Sequence, residues 1–300
     1  MPDARYLYGK TVMNNLNGIL LMIAAMVGFA LEDLFVKLLS STISIGQILI
    51  TLGVGSSIVF ALLAHSKGHN IFAAHVWTRA TIARTVAEAI AAVAFVASLS
   101  LVPISTVAAV FQVTPLAITM GAALFLGEQV GWRRWVAIIV GFIGVLIIIR
   151  PGLSGFDPSV LFILVSVLGV TMRDLITRSI PKNIASTVIS FQAFASLIFA
   201  GTILLFMSSD TLIAISKLEA VYFVAGVIFG VAGYYGIVAA MRVGDAATVT
   251  PFRYTRLLFS LVIGVLVFNE RPDTLTLLGA AIVIGTGLYT FLRERRALPR

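Results

Sequence analysis

Ten long apolar runs constrain this chain more than anything else in it. They lie near residues 16-39, 43-64, 80-101, 103-127, 132-150, 158-180, 184-207, 219-241, 246-268 and 274-292. A bilayer core of about 30 Å takes about 20 apolar residues as a helix, so each run is the right length to cross once. Backbone amides and carbonyls find no water in hydrocarbon, so the spans are expected to be helices rather than open strands. Pro103, Pro151 with Gly152, Pro158, Pro181, Gly244 with Asp245, and Pro272 mark the breaks, where proline or glycine ends a helix. The expected fold is therefore an all-α membrane protein of ten transmembrane helices. The polar start, MPDARYLYGKTVMNN, leads into an apolar run too long for a signal-peptide core and shows no small-residue cleavage pattern, so the first run is read as a retained helix.

Composition agrees: 59% of residues are hydrophobic, 11% are charged, and the mean hydropathy is +1.05. The net charge of +8 does not point to nucleic acid, because the basic residues sit in short loops between apolar runs with no basic stripe carrying exposed aromatics. With the N-terminus inside, Arg5, Lys10, Lys67, Arg79, Arg84, Arg133, Arg134, Arg178, Lys182, Arg242, Arg293, Arg295, Arg296 and Arg300 fall on the inner side. Arg150, Lys217 and Arg271 fall on the outer side. Fourteen against three is a strong bias under the positive-inside rule, so both termini are expected in the cytoplasm and the protein in a cytoplasmic (inner) membrane. The chain has no cysteine, which excludes disulfides and thiolate ligands. His65, His69 and His75 share one loop without a nearby carboxylate, so no metal and no cofactor is expected.

The chain also repeats itself. Residues 28-37 match 169-178, aligning Gly28 with Gly169, Asp33 with Asp174 and Lys37 with Arg178; residues 97-128 match 239-270 and align the FLGE at 125-128 with the FNE at 268-270. The offsets, 141 and 142, make residues 1-150 and 151-300 near-collinear copies. Five spans per copy is odd, so the second copy enters the membrane from the opposite side. An inverted repeat is the architecture by which one site meets each face in turn.

Gly127-Glu128 before Trp132-Arg133-Arg134-Trp135, then Gly141-Phe142-Ile143-Gly144-Val145 and Arg150-Pro151-Gly152, resemble the EamA branch of the drug/metabolite transporter superfamily. The second copy repeats the pattern as Asn269-Glu270-Arg271-Pro272. The resemblance covers essentially the whole chain and implies two five-helix repeats around a central cavity and carriage of amino acids, vitamins, nucleotide-like metabolites or drugs. Two departures stand out: Asn269 replaces the glycine of the first loop, and span 9 carries Arg253 and Arg256 where span 4 has Phe111 and Thr114.

Ionisable groups at membrane depth are costly unless paired or hydrated, so they are the candidate machinery. Span 1 carries Glu32, Asp33 and Lys37, and span 6 carries Arg173, Asp174 and Arg178. These read either as an outer and an inner gate related by the repeat, or as intrahelical pairs, Asp33 with Lys37 and Asp174 with Arg178. Arg84 and Glu88 in span 3 read as a structural i,i+4 pair. Arg253 and Arg256 are the leading solute contacts. Arg256 is about ten residues into span 9, near the midplane at 1.5 Å per residue, and a guanidinium matches a carboxylate or phosphate with two parallel hydrogen bonds. The alternative for Arg256 is a permanent ion pair with Glu88 or Asp174. Gln112, Thr114, Thr250 and Thr255 are candidate neutral donors. Gly226, Gly230, Gly233 and Gly236 form a stripe for close helix contact, and Tyr234 and Tyr235 are candidates to stack a planar solute.

The expected function is secondary transport of a zwitterionic or anionic metabolite, with amino-acid export the first choice and uptake of a vitamin such as riboflavin or of a nucleoside-like solute the second. No GxxxxGK[ST] motif is present, and neither HExxH nor GxSxG, so an intramembrane enzyme has little to work with. The expected partners are the small-molecule solute and the lipid bilayer, with a homodimer left open. Residues 32, 33, 88 and 174 supply carboxylates for proton coupling.

Overall fold

The computed structural model describes residues 4–152, 156–181, 183–244 and 246–297. Lys182, Asp245 and Arg300, used above for topology and helix breaks, lie outside them. Among the described residues every span is helical, and ten helices are long and apolar enough to cross a membrane. They are α1 (Ala4–Leu39), α2 (Ile45–Ser66), α3 (Arg79–Leu101), α4 (Ile104–Phe125), α5 (Trp132–Ile149), α6 (Pro158–Thr177), α7 (Ser186–Ser208), α8 (Lys217–Val243), α9 (Thr250–Phe268) and α10 (Thr274–Ala297).

The helix pairing shows how the two copies fit. The most extensive packings are α1 on α8, α2 on α7, α3 on α6 and α5 on α10, and each joins one repeat to the other. The repeat relates α1 to α6 and α3 to α8, so α1 on α8 and α3 on α6 are the same contact seen twice. Neither repeat has a private core; they interlock. Small residues set the approach. A methyl on Gly201 of α7 would stand 2.5 Å from the carbonyl of Gly46 on α2, and one on Gly279 of α10 would stand 2.6 Å from the carbonyl of Gly144 on α5. Without a hydrophobic drive between helices in lipid, such close packing is a main source of cohesion. The glycines of α8 serve the same purpose. Gly233 and Gly236 meet Ala25 of α1, and Gly226 meets Leu52 of α2.

Two spans expected to be continuous are interrupted. α4 divides into Ile104–Phe111 and Thr114–Phe125, and α9 begins as a 3-10 stretch, Thr250–Tyr254, before the regular helix Thr255–Phe268. With the 142-residue offset the two interruptions coincide. In α4 the cause is Pro115, which has no amide to give the carbonyl of Phe111; the Thr114 hydroxyl donates to that carbonyl instead, at 2.6 Å. Pro251 stands at the start of the 3-10 stretch in α9. Discontinuous helices facing each other across the repeat axis are where transporter folds expose polar groups to a solute.

The repeat is also visible in its loops. Gly127 (φ 69°) and Asn269 (φ 52°) both take the left-handed conformation. The next residues, Glu128 and Glu270, return their amides to the carbonyls of Ala122 and Gly264 at 3.2 and 2.9 Å. Asparagine is among the few residues that tolerate this backbone, so the Asn269 departure preserves the loop.

Candidate functional site

The ionisable residues of α1, α3, α6 and α9 gather in the bundle interior as two clusters. In the first, Arg256 holds Asp33 in a two-pronged bond: Nη2 donates to Oδ1 at 2.8 Å and Oδ2 at 2.7 Å, and Nε to Oδ2 at 3.1 Å. Asp33 is 4% exposed. The rings of Phe29, Phe95 and Phe111 stand 5.2, 5.4 and 5.5 Å from the guanidinium carbon, within cation–π range. Phe111 is the repeat counterpart of Arg253, so the first copy supplies a wall where the second supplies a charge.

This corrects two expectations. Arg256 is ion-paired, and its partner is Asp33 rather than Glu88 or Asp174. Nor do Asp33 and Lys37 form an intrahelical pair. Lys37 turns to the end of α3, where Nζ donates to the carbonyls of Leu99 at 2.9 Å and Val102 at 2.7 Å. It also lies 5.4 Å from the Phe268 ring centre. Beside the paired residues Glu32 is different: among the described residues it has neither a hydrogen bond nor an ion pair, and its carboxylate lies over Gly230 of α8, where a methyl would stand 2.5 Å from Oε1.

The second cluster is a chain. Arg84 bonds Thr177 through Nε at 3.1 Å and Glu88 at 3.4 Å, so the expected i,i+4 pair is present. Glu88 also meets Nη1 of Arg173 at 3.1 Å, and Arg173 Nε donates to Asp174 at 2.8 Å. Asp174 therefore pairs with its neighbour rather than with Arg178, which bonds Glu128 instead. Arg253 is in electrostatic reach of Asp174, Arg173 and Arg256, yet it makes no ion pair and no hydrogen bond among the described residues.

The remaining candidates separate. Gln112 lies at the break in α4, 7% exposed, and its amide makes no hydrogen bond among the described residues. The hydroxyls of Thr114 and Thr255 are spent on the carbonyls of Phe111 and Phe252, each at 2.6 Å, and that of Thr250 lies 3.7 Å from Met241 Sδ. Tyr234 faces inward, against Phe60 and Phe194 at 5.7 and 6.2 Å between centroids. Tyr235 does not: it is 52% exposed and stands beside Lys67 at the bundle surface. His69 of the loop bonds Thr187 at 3.0 Å and ties the loop to α7.

Two glutamates that the sequence marks only as loop positions matter here. Glu270 accepts from the amides of Ile104 and Ser105 at 2.7 and 3.0 Å and from the Ser105 hydroxyl at 2.6 Å, capping the first turn of α4 across the repeat boundary. Lys37 is in electrostatic reach of that carboxylate. Its repeat counterpart, Glu128, bonds Arg178, the counterpart of Lys37. The signal was available in the sequence, since FLGE and FNE align in the repeat and so do Lys37 and Arg178. Nearby, outside the spans, Asp273 is held by Arg150 and by Thr276, and these bonds push its carboxyl down to about 2.

Residues 16–150 and 157–292 each match the EamA-like transporter family. The chain belongs to that family. Among its relatives an S-adenosylmethionine uptake transporter of Rickettsia conorii is 30% identical over 67% of this chain and 68% of its own length. A riboflavin transporter of Rhizobium johnstonii is 32% identical over 71% of this chain and 70% of its own length. A solved protein crystal structure superposes with a TM-score of 0.60 at 16% identity, covering 92% of this chain and 99% of that one, and shares the fold. As an EamA-like transporter the chain is a multi-pass membrane protein that carries a small metabolite, and it is not an enzyme. The expectation of amino-acid export finds no support in these relatives; uptake does.

Proposed function

We propose that this protein takes up a zwitterionic metabolite across the cytoplasmic membrane, with both termini in the cytoplasm, and that Arg253 receives the solute's carboxylate. The observation that carries this reading is that Arg253, among the described residues, makes no ion pair or hydrogen bond although three paired charges, Asp174, Arg173 and Arg256, are within electrostatic reach, whereas Arg256 is committed to Asp33. A permanent cation at membrane depth gains most from a bidentate anion, and a solute carboxylate is such a partner. The S-adenosylmethionine uptake transporters among its relatives give that solute class a precedent. Gln112 supplies a neutral donor from the facing broken helix. The gates are the two symmetric contacts at opposite ends of the bundle, Lys37 with the α3 end near Glu270, and Arg178 with Glu128. Arg178 with Glu128 joins one repeat to the other directly, and Lys37 reaches the second repeat through the nearby Glu270 carboxylate, so closing one end and opening the other need only rock the interlocked copies.

The test is uptake of labelled S-adenosylmethionine into proteoliposomes. Wild-type vesicles should accumulate it above protein-free vesicles, and Arg253→Gln should weaken the apparent affinity by about tenfold to a thousandfold. Unchanged affinity in a properly inserted Arg253→Gln protein overturns the assignment. A second reading, riboflavin uptake, draws on the riboflavin transporters among the relatives and on the aromatic group of Tyr234, Phe60 and Phe194. It calls for riboflavin rather than S-adenosylmethionine to accumulate, with Tyr234→Ala losing it.

A further inference from the structure

Within the uptake reading, and resting on it, we infer that Glu32 is the specificity determinant for the solute's positive end: an organic cation, ammonium or sulfonium, is held by the Glu32 carboxylate while Arg253 holds the negative end.

Three observations carry this. First, Glu32 is the one carboxylate of the two interior clusters with no ion pair or hydrogen bond among the described residues, Arg256 lying within electrostatic reach but bonded to Asp33, whereas Asp33, Glu88 and Asp174 are all ion-paired. Second, the repeat explains why the partner is missing. Glu32 aligns with Arg173, and Arg173 is held by Glu88 across the contact of α6 with α3. The symmetric contact, α1 with α8, should bring Glu32 to the counterpart of Glu88, which at the 142-residue offset is Gly230. Glycine stands there, and the Glu32 carboxylate lies against it. One copy thus builds a closed ion pair, and the other leaves a charge facing a residue that cannot answer it. Third, the charges are separated in sign. By formal charge, and with Lys37 set aside because it turns to the α3 end beside Glu270, Glu32 and Asp33 against Arg256 leave the α1 cluster with one net negative charge, while Arg84, Arg173 and Arg253 against Glu88 and Asp174 leave the α3–α6–α9 cluster with one net positive charge. The interior as a whole is neutral but polarised. A zwitterion placed with its cation at Glu32 and its carboxylate at Arg253 neutralises both ends; a neutral solute neutralises neither. Aromatic faces at Phe29, Phe95 and Phe111 are taken up by Arg256, so for the solute's cation the free carboxylate is the available counter-charge.

The experiment measures binding and uptake by the full chain in vesicles with three probes: S-adenosylmethionine, which carries a sulfonium and an ammonium; S-adenosylhomocysteine, which keeps the amino-acid group without the sulfonium; and riboflavin, which carries no cation. Glu32→Gln should lose about tenfold to a hundredfold in affinity for S-adenosylmethionine and leave riboflavin unchanged. An equal loss for S-adenosylhomocysteine assigns the ammonium, and a smaller one assigns the sulfonium. Gly230→Ala displaces the flexible end of Glu32 rather than any backbone, so it should fold and give a weaker version of the same discrimination. A Glu32→Gln protein that discriminates like wild type overturns the inference, as does one that loses all three probes alike. One that keeps its solute preference but no longer responds to a pH gradient also overturns it and makes Glu32 a proton site. If wild-type vesicles accumulate none of the probes, the uptake reading itself falls; if they do and Glu32→Gln matches them, only this inference falls.

Discussion

Asp33 and Arg256 come from opposite ends of the chain, and their bond is the clearest example of a residue whose role sequence alone misassigns. Each is unaffordable at membrane depth without the other. Removing one leaves a buried, uncompensated charge, so Arg256→Gln or Asp33→Asn should each cost about 3–5 kcal/mol. The Asp33→Asn, Arg256→Gln double variant should recover much of that loss, because it removes both charges together. Thermal unfolding of detergent-purified protein, followed by size-exclusion fluorescence, reads all three. If the double variant melts as low as the sum of the singles, the pair is not what holds α1 to α9. Arg253→Gln, by contrast, should melt close to wild type and differ in affinity. That split between stability and binding separates the two arginines, which sit three residues apart on one helix.

At the scale of elements, the informative structures are the broken helices and their caps. Glu270 satisfies two backbone amides at the start of α4 from the other repeat. Losing such a cap costs on the order of 1–2 kcal/mol, so Glu270→Ala should lower the unfolding temperature measurably. Glu128→Ala should do less, because Glu128 and Arg178 are about half exposed, at 50% and 46%, and water screens them. Equal effects from the two would contradict the view that Glu270 stabilises the fold as a helix cap while the exposed Glu128–Arg178 pair adds little to stability. The Arg150–Asp273 contact adds a pH signature. The Asp273 carboxyl is depressed from its ordinary 3.8 to about 2, so its contribution is complete above the ordinary value and is lost as pH falls towards 2. Asp273→Asn should therefore change stability at neutral pH, and the difference should shrink as pH falls below the ordinary 3.8 and vanish only well below the folded value of about 2. Between helices, Gly201→Leu should break the α2–α7 seam, because the clash at 2.5 Å is with backbone, which cannot move aside as a side chain can.

Over the whole molecule, the interlocking of the repeats sets the expectations. Since α1 packs on α8, α2 on α7, α3 on α6 and α5 on α10, residues 1–150 expressed alone should insert poorly and be degraded, and co-expression with residues 151–300 should rescue both. Stable accumulation of either half alone would show a private core that the helix pairing does not provide. Orientation follows the charge bias: reporter fusions after residues 67, 182 and 296 should all report cytoplasm, and fusions near 154 and 212 the other side. A periplasmic signal at residue 296 would break the ten-span topology.

Ten spans, their lengths, the duplication and its inversion were legible in the sequence, because each depends on local quantities: hydropathy over about 20 residues, proline and glycine at the breaks, and alignment of one half with the other. The list of interior residues was legible too, since any charge inside an apolar run must be accounted for. Which charge answers which was not. Asp33 could pair with Lys37 one turn away or with Arg256, 223 residues away, and spacing along one helix favours the wrong choice. Likewise Tyr234 and Tyr235 are indistinguishable as neighbours, yet the 100° step between them turns one towards Phe60 and Phe194 and the other to the surface. Only the tertiary structure decides such matters, because an ion pair in a membrane is settled by which helices touch, and here every large contact joins residues from different halves of the chain.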